Sequence, residues 1–85
     1  MHEMYDNIPL NLRYLRYTRM PHYSQREIAQ KLHVSRSAYA RYEKGTMIPP
    51  VWFLCEVAKF YNVDVAELFL NDMRRSEKTK NESIT

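Results

Sequence analysis

Residues 24–45 read SQREIAQKLHVSRSAYARYEKG, and a pair of helices joined by a sharp corner accounts for the whole pattern. Ser24-Gln25-Arg26-Glu27 has the form of a capping box, with serine at the N-cap and glutamate three residues on. The helix it opens carries Ile28, Ala29 and Leu32 on one side. His33-Val34 then breaks the periodicity. Ser35 is placed to cap the next helix, which ends at Gly45, the single glycine of the chain. On a wheel of about 100° per residue, Arg36, Ser37, Ala40, Arg41 and Lys44 fall within an arc of roughly 140°. Ala38, Tyr39 and Tyr42 lie opposite, with Glu43 at the margin. The tyrosines form the docking face and the cations the offered face.

The flanking chain is helical by the same criteria. Pro9 follows Asp6-Asn7 and suits a first helical turn, with Asn7 as the expected cap. Ile8, Leu12 and Leu15 make an apolar stripe on a helix running to about Arg19, which Pro21 stops. Pro49-Pro50 enforces an extended link before a helix expected over Val51 to Tyr61. Its expected core stripe is Val51, Leu54, Val57, Ala58 and Tyr61. Asp64 is placed to cap a short last helix that packs through Leu68 and Phe69. No stretch alternates with period two, so the fold class is all-α with five helices. The expected organisation is an arm over 1–7, a folded domain over 8–70, and a polar tail over 71–85, a helix end or disordered.

The chain has 85 residues, enough for one domain, and a net charge of +3. The charge is unevenly spread. Residues 1–44 hold eight basic against four acidic side chains, whereas residues 45–70 hold one basic against three acidic. A polyanionic partner is therefore steered to the first half. A single cysteine, Cys55, excludes an internal disulfide and is expected as a buried thiol rather than a redox switch. No signal-peptide pattern and no apolar run of about 20 residues is present, so a soluble, cytoplasmic protein is expected. His2, His22 and His33 lack ligand spacing, and no nucleophile–base set or glycine-rich phosphate loop stands out. The expectation is therefore no metal, no cofactor and no enzymatic activity.

Paired short helices, a tight corner and a basic outer face on the second helix make a helix-turn-helix. Ala29 is small where the helices must cross, and Val34 with Ile28 and Leu32 supplies the apolar wall. The major groove of B-DNA, about 12 Å wide, admits one such helix. Residues 24–45 closely resemble the helix-turn-helix of the lambda-repressor-like, or Xre/Cro, family. LRYLR at 12–16 resembles that family's first helix, and PPVWFLCEVAKFYNVDVAELF at 49–69 its fourth and fifth. The resemblance covers about residues 8–70 and implies five helices with the third in the major groove.

The same resemblance implies roles residue by residue. Gln25 falls on a phosphate-clamping position; Arg36, Ser37 and Arg41 fall on base-reading positions, with Ala40 able to touch a thymine methyl. Lys44 and Thr46 fall where the family meets the backbone again. His33 stands at the corner where the family usually has glycine, which implies a positive φ there. The implied function is sequence-specific binding of double-stranded DNA by a transcriptional regulator, most simply a repressor acting by occlusion. An antitoxin with a toxin partner, and a helical interaction module without DNA binding, are the alternatives.

Other side chains have two readings each. Tyr39 and Tyr42 are expected in the core rather than stacked on bases, with the Tyr42 hydroxyl a secondary phosphate candidate. Glu43 is expected to pair with Arg16 rather than to read a base. Tyr14 and Tyr17 lie off the stripe, as surface or backbone contacts. Trp52, Phe53 and Phe60 share a second face of the fourth helix. That face is either covered by the segment after it or is the surface of a homodimer, which would read a palindrome with half-sites about 34 Å apart.

Overall fold

The helices α1 (Asn7–Thr18), α2 (Gln25–Lys31), α3 (Arg36–Lys44), α4 (Val51–Tyr61) and α5 (Glu67–Leu70) follow one another in a computed structural model describing residues 6–75. Among the described residues no strand occurs, and the chain turns helical again at Met73. The fold is the expected all-α arrangement.

Local chemistry explains where each helix begins. Ser24 accepts from the Glu27 amide at 3.1 Å while the Glu27 carboxylate accepts from the Ser24 amide at 2.9 Å, closing the capping box. Those bonds from Ser24 hold the Glu27 carboxyl below the usual carboxylate range. The Ser35 hydroxyl accepts from the Ala38 amide at 3.0 Å and starts α3. At α1 the expectation fails: Asp6 precedes the helix without a side-chain cap, and Asn7 lies inside it. The Asn7 amide instead donates to the Phe69 carbonyl.

The three middle helices end by one device. His33 (φ 64), Gly45 (φ 88) and Asn62 (φ 56) each turn left-handed. The next amide then reaches back five residues: Val34 to Ala29 at 3.0 Å, Thr46 to Arg41 at 3.1 Å and Val63 to Ala58 at 2.9 Å. Gly45 has a second reason to lack a side chain, since a β-carbon there would sit 3.2 Å from Cγ of Pro9.

The core joins Ile8, Leu12 and Leu15 of α1 to Ile28, Ala29 and Leu32 of α2, as the stripes imply. Tyr39 and Tyr42 enter it from α3, with Val34 partly buried against it. On α4 the stripe is rotated from the expected one. Phe53 is fully buried, 4.7 Å from the Tyr42 ring and 6.3 Å from the Tyr39 ring, while Val51 is 74% exposed. The larger ring wins because it packs against both tyrosine rings, removing more apolar area from water than a valine could. Phe53 is thus a core residue and not part of a dimer surface. Cys55, expected as a buried thiol, is exposed on the same helix.

Asn11 lies in the α1 stripe and is completely buried. Its amide nitrogen donates to the carbonyls of Glu67, Leu68 and Asn71 at 3.2, 2.9 and 2.7 Å. Its oxygen accepts from the Met73 amide at 2.9 Å. One side chain thereby ties off the end of α5 and starts the helical turn after it. Met73 is buried, so the core extends past the expected boundary at residue 70. Asn7 likewise belongs to α1 and not to an arm. Asp6 is a turn residue before α1, and residues 1–5 of the expected arm and 76–85 of the expected tail lie outside the described residues.

Two substitutions test these statements. Asn11→Ala removes the partner of several buried backbone groups and should cost about 2–4 kcal/mol. Denaturant unfolding measures the loss, with faster exchange of the Met73 amide as its local signature. His33→Gly relieves a β-carbon at positive φ and should raise the melting temperature by about 2–5 °C. An unchanged melt would mean that the corner carries no strain.

Candidate nucleic-acid interface

The inner arc of α3 determines what its outer arc can do. Tyr39 and Tyr42 are buried, and Glu43 is only 4% exposed. A carboxylate at that depth needs partners, and it has four donors. Arg16 Nε donates to one oxygen at 2.9 Å and Arg16 Nη2 to the other at 2.6 Å, a fork-to-fork ion pair. Gln25 Nε2 donates at 3.2 Å, and the Tyr39 hydroxyl donates as well. Burial by itself would raise the Glu43 pKa, but the Arg16 and Tyr39 hydrogen bonds outweigh it and hold the carboxyl below its usual range. The expected Arg16–Glu43 pair is present.

This cluster ties α1, α2 and α3 together. The Arg16 guanidinium also lies over the Tyr17 ring at 4.7 Å and reaches the Tyr23 carbonyl. Tyr39 is driven well above an ordinary phenol, first by burial and then by the Glu43 charge. The Tyr61 phenol lies within the same electrostatic environment and is pushed up to about 12, chiefly by burial. Its hydroxyl is the one buried side-chain polar atom lacking a hydrogen-bond partner among the described residues.

With the inner arc fixed, the outer arc is open. Arg36, Ser37, Arg41 and Lys44 are exposed, Ala40 is half-buried between them, and Thr46 is exposed just past the helix. Among the described residues Arg36, Arg41 and Lys44 form no ion pair. Three cations on one helix face, backed by a neutralised carboxylate, make a surface suited to a polyanion. Gln25 is half-buried at the start of α2, and its side chain bonds Glu43 on the inner arc. Tyr42 does not join it: 6% exposed and tilted against the Phe53 ring, it is a packing residue.

The remaining candidates separate. Trp52 is 52% exposed with its edge on Phe53, and Met47, Ile48 and Val51 beside it in sequence are exposed too. Phe60 is elsewhere, 5.9 Å from the Tyr23 ring, where Arg19, Met20, Pro21 and Tyr61 complete a groove of about 230 Å³. Phe53 and Phe60, seven apart with Trp52 beside them, suggest one face from the sequence; the burial of Phe53 divides it. No group of His, Cys, Asp and Glu able to hold a metal occurs among the described residues, and no helix there is long and apolar enough to cross a membrane. Two functional features escaped the sequence reading: the Gln25–Glu43 bond and the Asn11 clamp. Their common signal is a polar residue on or beside an apolar stripe.

Comparison with known proteins adds an independent line. A family model described as helix-turn-helix matches residues 15–68, well over half the chain. The chain is 42% identical over 45 residues to the cryptic phage CTXphi transcriptional repressor RstR of Vibrio cholerae. That match covers 53% of this chain and 40% of the relative, so the chain spans about two fifths of that protein's length. No solved structure matches.

The Arg16–Glu43 pair predicts a specific acid response. Because the folded-state pKa of Glu43 is lowered, its contribution is full above the usual carboxylate range and is lost as the pH falls from that range through the lowered folded-state value. Glu43→Gln should cost about 3 kcal/mol at neutral pH and remove that part of the acid destabilisation. Thermal melts from neutral pH down to about pH 3 test this. Parallel curves for the two proteins would contradict the assignment.

Proposed function

The chain belongs to the lambda-repressor-like, or Xre, helix-turn-helix family, and on that premise we propose that it binds double-stranded DNA sequence-specifically as a transcriptional regulator. The observation that carries this reading is the two-sided character of α3: Tyr39, Tyr42 and Glu43 inside, Arg36, Arg41 and Lys44 outside. In this reading α3 enters the major groove. Arg36 and Arg41 donate to guanine O6 and N7 through their planar forks, Ser37 bonds an adjacent base edge, and Ala40 lies against a thymine methyl. Lys44, Thr46 and Gln25 meet phosphates and set the position on the duplex. The similarity to a phage transcriptional repressor supports repression by occlusion, in the cytoplasm where the DNA lies.

A second copy of the chain fits the same reading. One helix reads few base pairs, and the exposed Met47, Ile48, Val51 and Trp52 follow directly on the end of α3. Pairing through that face covers apolar surface and doubles the contacts on a palindrome. An antitoxin would share the α3 face; co-purification with a second small protein would distinguish it.

In-vitro selection of bound DNA, followed by titration of variants on the selected site, tests the proposal. Arg36→Ala should cost about 1–3 kcal/mol and relax preference at one base position. Affinity should fall steeply with salt. Equal weakening on every sequence would reassign Arg36 to the phosphates, and a flat salt response would end the reading.

A further inference from the structure

Glu43 holds α3 in the fold, and it also holds the side chain of Gln25, the residue assigned to a phosphate in the DNA-binding reading. The Gln25 amide nitrogen lies 3.2 Å from Glu43 Oε1, the same oxygen that accepts from Arg16 Nη2. An ionised carboxylate can only accept, so the nitrogen end of the amide must be the end turned toward it. The usual ambiguity of amide orientation is thereby removed. The carboxylate cannot swing away either, because the Arg16 fork holds both oxygens and the Tyr39 hydroxyl adds a further bond. One N–H of Gln25 is used inward and the other remains.

We propose that Glu43 is a positioning residue for DNA docking, orienting the Gln25 amide so that its second N–H meets one phosphate oxygen. This rests on the DNA-binding reading and deepens it. A phosphate held by Gln25 is then linked through Glu43 to α3 itself, next to Lys44 and two residues from Arg41. The backbone grip and the reading helix share a single hydrogen-bonded chain from phosphate to Gln25 to Glu43 to Arg16. Such a link fixes how deep and at what register α3 sits in the groove, which loose phosphate contacts on flexible lysines do not. Glu43 touches no DNA in this arrangement; it acts only through Gln25.

The test separates positioning from plain stabilisation. Each phosphate of a selected site is replaced in turn by an uncharged methylphosphonate, and affinity is read by fluorescence anisotropy. For the wild-type protein, several positions should weaken binding, the one facing Gln25 roughly tenfold. Gln25→Ala should show that same loss and no further loss when that position is neutralised. The informative protein is the double variant Arg16→Met with Glu43→Met. Removing both charges leaves no buried ion unpaired, so the fold should persist, as its melt will show. It should nonetheless lose the response at the Gln25 phosphate and keep it at the others. Retention of the full response in a folded double variant overturns the proposal. Gln25→Glu is a second variant, at a first-turn position where the helix dipole partly offsets the repulsion from Glu43, and its melt will show that it folds. It places a carboxylate against both Glu43 and the phosphate, so it should bind worse than Gln25→Ala. Equal or better binding overturns the proposal too. DNA binding with no Gln25-dependent phosphate sinks the positioning role alone, whereas no DNA binding at all sinks the functional reading with it.

Discussion

The forked ion pair between Arg16 and Glu43 is the constraint on which the arrangement of α1, α2 and α3 depends. Both side chains are nearly withdrawn from solvent, at 11% and 5% exposed. Taking two charges out of water costs several kcal/mol per ion, and attraction between them offsets this only with good geometry and further bonds. Both conditions are met here by the fork at 2.9 and 2.6 Å, with Gln25 and Tyr39 completing the carboxylate. Such a pair contributes less to net stability than to specificity of arrangement: any docking of α3 that separates it strands a charge. The tyrosines alone would allow α3 to rotate, since flat rings tolerate sliding. The carboxylate does not.

The same pair shapes the outer field. Glu43 is the one acidic residue of α3, and at the surface it would cancel part of the charge of Arg36, Arg41 and Lys44. Drawn inward and matched by Arg16, it leaves the outer arc with cations only. The price is that Arg16, basic and in the cationic half of the chain, is lost to any outside partner. The basic bias of residues 1–44 therefore overstates what a polyanion meets, although the three α3 cations remain exposed.

Much of this was legible in the sequence because short-range chemistry governed it. Ser24 with Glu27 and Ser35 with Ala38 are bonds between residues three apart, and the turn at Gly45 needs only the missing β-carbon. The apolar stripes of α1 and α2 follow from helical period alone. The Arg16–Glu43 pair was legible for a different reason: a glutamate on the inner margin of a cationic helix must find a cation nearby. Where competition between long-range partners decides, the pattern was ambiguous. On α4, Val51 and Phe53 each complete an acceptable apolar arc, and only the tyrosine rings of α3 choose between them. That choice exposed Cys55 and Val51 and divided the aromatic face that Trp52 and Phe60 had seemed to share. Asn11 was hidden for the converse reason, since its partners lie 56 to 62 residues away along the chain.

Tyrosine in place of phenylalanine marks where packing and polarity meet. At Tyr39 the phenol belongs to the core by its ring and to the Glu43 cluster by its hydroxyl, so one side chain seals α3 and satisfies its carboxylate. Tyr61 has the same choice available and no partner to take it, which leaves its hydroxyl buried and unbonded beside the same charges. The contrast argues that the polar cluster is organised around Glu43 rather than around the aromatic rings that surround it. Three helices converge on that carboxylate, and each contributes one kind of donor: guanidinium from α1, amide from α2, phenol from α3 itself. The direction in which α3 offers its arginines is therefore set from the inside, by what accepts and what donates beneath it.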